Sequence, residues 1–246
     1  MDFDLEFELE LELELELEKT MTTAIIGFGN LGSTLARHLV HGGEDVVLAA
    51  RDGARSVALA RELGPLARSA SVSQAIEASD TVVFAVWLDA VKELLSVTHN
   101  IELLKGKVVV DPTNPIKLGD NGALMRALPQ GQSSGSVIAG LLPLQAHYVK
   151  AFGSLGAQSL AASANRSPRR AVLFYATDDA LAAASVQRLI SAAGFDAVGA
   201  GGLKDVGRIE GPDGDLSQGR LDGALLDVDE ARAALTAPPG DGRSTD

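Results

Sequence analysis

The most constraining feature of this sequence is the stretch of residues 23–39, in which a strand pattern leads through a glycine turn into a helix pattern. Four β-branched or apolar residues precede the motif Gly27-x-Gly29-x-x-Gly32, and apolar residues then recur at helical spacing. A second strand pattern, residues 45–50, follows at the distance that a β-α-β unit requires. Because the motif lies between a strand and a helix, we interpret it as the phosphate-binding turn of a dinucleotide-binding fold.

Each glycine of this motif has its own physical role. Gly27 permits a tight turn, Gly29 lets the backbone approach a pyrophosphate with no Cβ in the way, and Gly32 allows the helix to pack closely on the strand. The start of the following helix adds free N–H groups and a partial positive charge. The residues that we predict to hold the cofactor here are Gly27, Phe28, Gly29, Asn30, Leu31 and Gly32.

Two arginines follow the second strand, where specificity for the adenosine ribose is set. An acidic residue closing this strand would bond to the ribose hydroxyls of NAD, but the strand ends in Ala50 and is followed by Arg51 and Arg55. Two guanidinium groups suit a 2′-phosphate, so we predict that the cofactor is NADP(H) and that Arg51 and Arg55 hold it. Asp52 is a carboxylate that would favour NAD, although it can instead start the next helix. The alternative interpretation is a solvated helix start with incidental arginines.

The strand pattern of residues 80–86 is apolar on both faces, as in a buried parallel sheet. Ligands of such sheets bind beyond the carboxyl ends of the strands, so we predict that Ala85, Val86 and Trp87 border the nicotinamide. Trp87 is the only tryptophan, and its alternative role is to cap the core.

Polar residues end the next strand pattern, residues 107–111, at the same predicted edge of the sheet. Two prolines stop this strand and place Asp111, Thr113 and Asn114 at that edge. We predict that Asn114 contacts the cofactor through the nicotinamide carboxamide or its ribose, or else contacts the second substrate. An ordinary Asx-type turn is the alternative interpretation.

Strand and helix patterns alternate through both halves of residues 21–200, which we interpret as one NADP-binding domain. This alternation predicts an α/β fold, Rossmann-like and doubly wound, with a mainly parallel sheet and helices on both faces. Residues 119–136 are rich in Gly and Ser and predict a long mobile connection.

The two ends of the chain differ from this domain. Residues 1–20 alternate Leu or Phe with Glu or Asp, and we interpret them as a low-complexity tail without a signal-peptide pattern. Met21 is then a candidate original start. Residues 201–246 are predicted as a small C-terminal extension and tail, whose helical part forms a lid or an oligomer contact, with a homodimer as the candidate assembly.

Composition excludes several classes of function. The chain has no cysteine, which rules out disulfides and thiolate sites, and its four histidines lack the spacing of metal ligands, so no metal site is predicted. Residues 1–19 hold nine acids and one base, and the remaining 24 acids and 20 bases form no basic stripe for nucleic acid. No apolar run is long enough to span a bilayer. We therefore expect a cytoplasmic protein whose partners are small-molecule redox cofactors, with neither nucleic acid nor a membrane among them.

Several segments, in this order, resemble the NADPH-dependent coenzyme F420 (deazaflavin) reductases and their broader group of small NADP-binding Rossmann oxidoreductases. The resemblance covers about residues 21–211. The segments that carry it are residues 26–32, Arg51 with Arg55, the strand that ends at Trp87, and residues 149–152, 175–179, 201–203 and 207–208. The chain departs from the family pattern at Val86, where a proline is usual, and at Gly153-Ser154, where Asn-Thr is usual.

The resemblance implies hydride transfer between the nicotinamide of NADPH and the central carbon of the F420 deazaflavin ring. Direct transfer between two stacked rings needs close approach and exclusion of water, and it needs no protein acid or base. One alternative is a dehydrogenase or reductase of a small carbonyl, hydroxy or imine compound, which generally needs a proton donor. Lys150 and His147 are the candidates, and Lys150 is the catalytic one to test, although we favour a structural role for it. The other alternative is a non-catalytic redox sensor that binds NADP.

Overall fold

The computed structural model describes residues 21–119 and 122–237. The strands are β1 (Thr22–Ile26), β2 (Asp45–Ala49), β3 (Ala67–Ser69), β4 (Thr81–Phe84), β5 (Val108–Asp111), β6 (Ile116–Leu118), β7 (Leu124–Arg126), β8 (His147–Ala151), β9 (Val172–Ala176) and β10 (Asp196–Gly199). The helices are α1 (Asn30–His41), α2 (Gly53–Leu63), α3 (Val72–Glu77), α4 (Leu88–Leu95), α5 (Thr98–Leu103), α6 (Ser134–Ala139), α7 (Ala157–Ser163), α8 (Ala180–Ala192) and α9 (Val228–Thr236), with a 3-10 helix at Leu203–Ile209. The predicted tail of residues 1–20 lies outside the described residues.

Eight of the strands form one sheet in the order β10-β9-β8-β5-β4-β1-β2-β3. Neighbouring strands pair in parallel except β8 and β9, which pair antiparallel. The carboxyl ends of β1, β4, β5 and β8 therefore lie side by side at one edge of the sheet. The strands β6 and β7 form a separate hairpin. The predicted fold class, a Rossmann-like α/β fold with a mainly parallel sheet, is confirmed.

Successive side chains of a strand point to opposite sides of the sheet, and in the central strands the side chains on both sides are buried. In β1, Ile25 belongs to the apolar core on one face, whereas Ala24 and Ile26 belong to the core on the other face. Helices α1, α2, α7 and α8 contribute to the first core, and helices α3, α4 and α6 contribute to the second. This arrangement explains why the central strands read as continuous apolar runs.

A third apolar core joins the C-terminal extension to the sheet. Val206 and Ile209 of the 3-10 helix belong to one buried cluster with Val172 and Phe174 of β9, and Ala231 of α9 belongs to the same cluster. The described part of the extension is thus packed into the domain. A role for it in an oligomer stays a prediction.

The long mobile connection predicted for residues 119–136 differs from the structure. Strand β7 and the first residues of helix α6 lie within this range. The hydroxyl oxygen of Ser133 accepts a hydrogen bond from the N–H of Ser136 and so caps α6. Gly122 has a φ of +76°, which suits the hairpin turn. The glycine and serine residues therefore mark turns and a helix cap, which local composition does not distinguish from a loop.

Candidate functional site

The glycine loop has the geometry that the motif predicts. Gly27 has a φ of +108°, and a Cβ there would lie 2.6 Å from the carbonyl oxygen of Ala85. A Cβ on Gly32 would collide with the carbonyl oxygen of Gly27. The packing of the protein itself therefore requires both of these glycines.

Gly29 differs from the other two glycines because no neighbouring part of the protein lies within 4 Å of the position that its Cβ would take. Gly29 is the N-cap of α1, where no side chain caps the helix and the first turn holds no acidic residue. The open space and the N–H groups of this helix end suit an anionic group. The cradle thus fits the pyrophosphate of a dinucleotide.

Arg55 and the glycine loop are in contact. The Nη2 atom of Arg55 lies 3.4 Å from the carbonyl oxygen of Phe28. Asp52 caps helix α2, because its Oδ1 accepts hydrogen bonds from the N–H groups of Ala54 and Arg55. Arg51 directly precedes this cap and is exposed. The structure therefore brings Arg55 to the loop and gives Asp52 the helix-starting role that the sequence left open.

Residues 85 and 86 lie directly against the glycine loop. Strand β4 ends at Phe84, two residues earlier than predicted. A Cβ on Gly27 would collide with the side chain of Val86 and the carbonyl group of Ala85. The Cβ of Ala85 also lies 3.0 Å from the position of a Cβ on Gly32. The structure thus joins the predicted phosphate loop to the predicted nicotinamide wall.

Trp87 is the N-cap residue of helix α4, and it is 48% exposed. This exposure favours a position at the surface over the alternative interpretation of Trp87 as a cap on the core, because an indole in that role is mostly buried. Its position at the start of α4 places it at the same edge of the sheet as the glycine loop. Contact with a nicotinamide stays a prediction.

Asn114 uses its side chain to join two other segments. Its Nδ2 donates a hydrogen bond to the carbonyl oxygen of Gly153 at 3.0 Å, and its Oδ1 accepts one from the N–H of Gly211 at 2.9 Å. The predicted Asx-type turn is present at Asp111, whose Oδ1 accepts a hydrogen bond from the N–H of Thr113 at 2.8 Å. Asn114 has one further Nδ2 hydrogen, so its contact with a ligand stays a prediction.

Lys150 is fully buried, and polar groups of four residues surround its ammonium. The Nζ atom lies 3.0 Å from Asp111 Oδ2, 2.9 Å from Ser134 Oγ and 3.1 Å from Glu210 Oε1, and it donates to the carbonyl oxygen of Thr113. An ammonium with these partners is fixed in place and has no exposed surface for a substrate. This geometry favours the structural interpretation of Lys150 over the catalytic one.

His147 does not lie at the predicted edge, because it begins β8 and therefore lies at the amino end of that strand. Its Nδ1 is 2.6 Å from Oδ2 of Asp179, and Asp179 also caps helix α8 by accepting a hydrogen bond from the N–H of Ala182. Burial opposes ionisation of Asp179, but the hydrogen bonds from Ala182 and His147 outweigh it and lower the pKa of this carboxyl.

Glu210 comes from the C-terminal extension, yet its carboxylate lies in the cluster around Lys150. Glu210 is only 3% exposed, and its carboxylate accepts hydrogen bonds from the N–H groups of Ser134 and Gly135 and from the Ser134 hydroxyl. These N–H groups lie in the first turn of α6, where a negative charge is stabilising. One carboxylate therefore links α6, Lys150 and the extension.

Tyr148 completes the cluster from the same strand as Lys150. Its hydroxyl donates a hydrogen bond to Oδ2 of Asp111 at 2.9 Å. Burial, followed by the charge of Asp111, the hydrogen bond to Asp111 and the charge of Glu210, raises the pKa of Tyr148 well above 10.0. Tyr148 therefore stays a hydrogen-bond donor to this carboxylate over the neutral pH range.

Sequence reasoning missed Glu210 and Ser134, which are 76 positions apart in the chain and directly bonded. The sequence identifies Asp111 only as a polar residue at the sheet edge. A lysine on a buried strand is a usable signal, because a buried ammonium needs an acidic partner. That signal predicts that a carboxylate is present without saying which one.

Part of the sequence that forms this site is similar to a known protein family. Residues 22–115 match the family described as NADP oxidoreductase, coenzyme F420-dependent. The predicted resemblance is confirmed over these residues. They include the glycine loop, both arginines, residues 85–87 and Asn114, whereas Lys150 and Glu210 lie beyond them. The match supports an NADP-dependent oxidoreductase.

Solved structures share the fold. A hypothetical protein from Sinorhizobium meliloti is 27% identical, with a TM-score of 0.72, and the alignment covers 87% of this chain and 98% of that one. A candidate F420-dependent NADP reductase from Arthrobacter sp. FB24 is 24% identical, with a TM-score of 0.64 and coverage of 74% and 86%. A reductive aminase from Aspergillus terreus, solved with NADPH and ethyl levulinate, is 21% identical, with a TM-score of 0.53 and coverage of 76% and 56%. No curated protein matches the sequence.

Metal-binding clusters and membrane-spanning helices are absent from residues 21–119 and 122–237. In these residues, no group of three or more His, Cys, Asp or Glu side chains is arranged to hold a metal ion. No helix within the same ranges is long and apolar enough to cross a bilayer.

Proposed function

We propose that this protein transfers hydride between NADPH and a deazaflavin coenzyme of the F420 type. The observation that carries the proposal is the packing of residues 85 and 86 against an open glycine cradle that Arg55 also contacts. The family match over residues 22–115 supports the choice of F420 as the second coenzyme. In the reaction, NADPH, oxidised F420 and one proton give NADP⁺ and reduced F420, or the reverse.

Each part of the proposed cofactor site has a separate task. The backbone at Gly29 and the N-terminus of α1 bind the pyrophosphate, because this helix end offers N–H groups without a competing side chain. Arg51 and Arg55 bind the 2′-phosphate, which distinguishes NADPH from NADH. Residues 85–87 form the wall against the nicotinamide. When bound, NADPH supplies the hydride from its nicotinamide ring.

The proposed acceptor site lies beyond the carboxyl ends of β5 and β8. Asn114 and Gly153 are hydrogen-bonded to each other there, and a Cβ on Gly153 would lie 2.8 Å from the carbonyl oxygen of Pro112. A larger residue at position 153 would therefore collide with the backbone of the loop that follows β5. Transfer between stacked rings depends on orientation and exclusion of water. The fully buried, paired Lys150 supports a site of this kind over one that relies on a lysine proton donor.

The experiment mixes purified protein with NADPH and F420 and follows the absorbance of the oxidised deazaflavin. We expect the absorbance to fall with NADPH, and to fall at least about tenfold more slowly with NADH, the factor that about 1.4 kcal/mol of 2′-phosphate recognition gives. Absence of transfer in both directions would overturn the assignment of F420. Turnover of a small ketone, alcohol or imine in its place would identify the first alternative. Tight NADP binding without transfer to any acceptor, together with a nucleotide-dependent change of assembly state, would identify a redox sensor.

A further inference from the structure

We infer that Glu210 is a positioning residue for the acceptor side of the site, an inference that rests on the proposed function. Glu210 begins residues 210–218, here called the clamp segment. The clamp segment belongs to the C-terminal extension, but it is hydrogen-bonded to the loop after β5, to the start of α6 and to the turn after β8. The loop after β5 and the turn after β8 border the proposed acceptor site. The start of α6 is bonded to the cluster around Lys150, which supports this border.

The Glu210 carboxylate is at the centre of this arrangement. Its Oε1 accepts hydrogen bonds from the Ser134 hydroxyl and the N–H of Gly135, both at 2.7 Å, and its Oε2 accepts one from the N–H of Ser134 at 3.0 Å. Lys150 lies 3.1 Å from Oε1 and also bonds to Asp111 at the end of β5. One carboxylate therefore fixes the start of α6 relative to β5 and β8.

Other residues of the clamp segment hold the two turns that face the acceptor. The N–H of Gly211 donates to Oδ1 of Asn114 at 2.9 Å. The N–H of Gln218 donates to the carbonyl oxygen of Ser154 at 2.8 Å, and Oε1 of Gln218 accepts from the N–H of Gly156 at 3.0 Å. The clamp segment thus sets the position of the turn after β8 as well as that of the loop after β5.

The backbone of Phe152 shows why the turn after β8 needs such support. Phe152 has a φ of +62° and a fully buried side chain. A bulky residue adopts this left-handed conformation only where its surroundings enforce it. Two residues before Phe152 in the chain, Lys150 is paired with Glu210. Two residues after it, the carbonyl oxygen of Ser154 accepts a hydrogen bond from Gln218. The clamp segment therefore anchors the strained residue from both sides.

The partners of the Glu210 side chain require a carboxylate at this position, and a glutamine would not replace it. Every polar partner that the structure gives to the Glu210 carboxylate is a donor or a cation: it accepts hydrogen bonds from a serine hydroxyl and two backbone N–H groups, and it forms an ion pair with a lysine ammonium. A glutamine has nearly the same shape but replaces one acceptor oxygen with an NH₂ group, which would face donors. It also removes the negative charge opposite a buried ammonium. The E210Q variant therefore loosens the cluster with little change in volume.

The matched control is E44Q. Glu44 is also a buried carboxylate, it is paired with Arg188, and it precedes β2 at the opposite edge of the sheet from the site. We expect E210Q to raise the KM for F420 or lower kcat by about tenfold, a typical cost of one lost charged hydrogen bond, with NADPH affinity within about twofold of wild type. We expect E44Q to leave KM, kcat and NADPH affinity unchanged.

The second readout is amide hydrogen exchange of the full chain without ligands, which does not depend on activity. In E210Q we expect faster exchange in residues 113–114, 134–136 and 152–156, and unchanged exchange in residues 27–32. Unchanged exchange in the first three segments, or an equal increase in all four, would overturn the positioning role whether or not the protein acts on F420. Wild-type kinetic constants for E210Q in an active enzyme would also overturn it. Wild-type protein that transfers no hydride to F420 would overturn the proposed function instead.

A second variant keeps the test decisive if E210Q does not fold. Q218A removes three side-chain hydrogen bonds: the one that Gln218 Oε1 accepts from the N–H of Gly156, and the two that Gln218 Nε2 donates to Ser159 and Gly223. It keeps the backbone hydrogen bond from residue 218 to Ser154. We expect faster exchange in residues 153–156 and a raised KM for F420, with NADPH affinity unchanged. Wild-type exchange and KM in Q218A would contradict the role of the clamp segment.

Discussion

The Nη2 atom of Arg55 lies 3.4 Å from the carbonyl oxygen of Phe28, so the second β-α unit contacts the glycine loop of the first. Arg55 is in the first turn of α2, and Phe28 is in the loop between β1 and α1. A guanidinium therefore stands beside the N–H groups that we assign to the pyrophosphate. One continuous surface can hold both anionic groups of NADPH.

The first expected outcome concerns cofactor preference. R51A and R55A should each weaken NADPH binding by about ten- to a hundredfold, because a hydrogen bond to a charged group contributes about 1.5–3 kcal/mol, and NADH binding should change little. Calorimetric titration with both nucleotides measures this. The control is R61A, which removes an exposed arginine further along α2 and should keep the wild-type preference for NADPH over NADH. An unchanged ratio of NADPH to NADH affinity in both R51A and R55A would remove the arginines from this role.

The second outcome separates two glycines of one motif. Gly29 has a φ of −69° and open space around the position of a Cβ, so G29A should fold with the stability of the wild type but lose NADPH affinity. G32A should lose about 1–3 kcal/mol of unfolding free energy, because its Cβ would collide with the carbonyl oxygen of Gly27. Urea unfolding and NADPH titration of both variants give the two quantities. Wild-type NADPH affinity in G29A would show that the cradle is not the pyrophosphate site.

The cofactor half of the candidate site could be predicted from the sequence, because its requirements are local. A positive φ at Gly27, a close helix contact at Gly32 and an apolar strand before residue 85 each leave a direct mark on residue type. The alternation of strands and helices also predicts the sheet, because each element must bury its own apolar face. Among β1, β2, β4 and β5 only the ends of the strands differ from the prediction, as at β4, where pairing rather than composition decides the last residue.

The cluster around Lys150 could not be predicted in the same way, because its partners are distant in the chain. Glu210 and Ser134 have no local pattern that links them, and both satisfy their hydrogen bonds only in the folded protein. The range 119–136 fails for a related reason. Glycine and serine occur in hairpin turns, helix caps and mobile loops alike, so composition alone does not separate these structures.

The third outcome follows from the raised pKa of Tyr148. Its neutral form contributes stability in full below the unfolded pKa of about 10, and this contribution is lost as the pH rises from there through the higher folded pKa. The unfolding free energy of the wild type should therefore fall more steeply with pH above about 10 than that of Y148F. Urea unfolding measured at a series of alkaline pH values tests this. Equal slopes for the two proteins would contradict the burial of this hydroxyl beside Asp111.

The fourth outcome concerns the cap of α8. D179A should lose about 1 kcal/mol of unfolding free energy near neutral pH, and D179N should lose less, because asparagine is also a good N-cap. The lowered pKa of Asp179 sets the pH dependence: the contribution of its charge is present above the unfolded pKa of about 3.9 and is lost as the pH falls through the lower folded pKa. The difference between wild type and D179N should therefore shrink below about pH 4. Unfolding curves from neutral to acidic pH measure it, and a difference that grows with acid would contradict the role of the charge.

The central claim is direct transfer of hydride from NADPH to a deazaflavin, and isotopic labelling tests it most directly. The protein is incubated in ordinary water with F420 and NADPH deuterated on one face or the other of the nicotinamide C4, and reduced F420 is analysed by mass spectrometry. The account predicts that one of the two labelled forms passes its deuterium to F420 and that the other does not, because a fixed wall at residues 85–87 allows one face of the ring to meet the acceptor. Reduced F420 without deuterium from either form, or no reduced F420 at all, would contradict the claim.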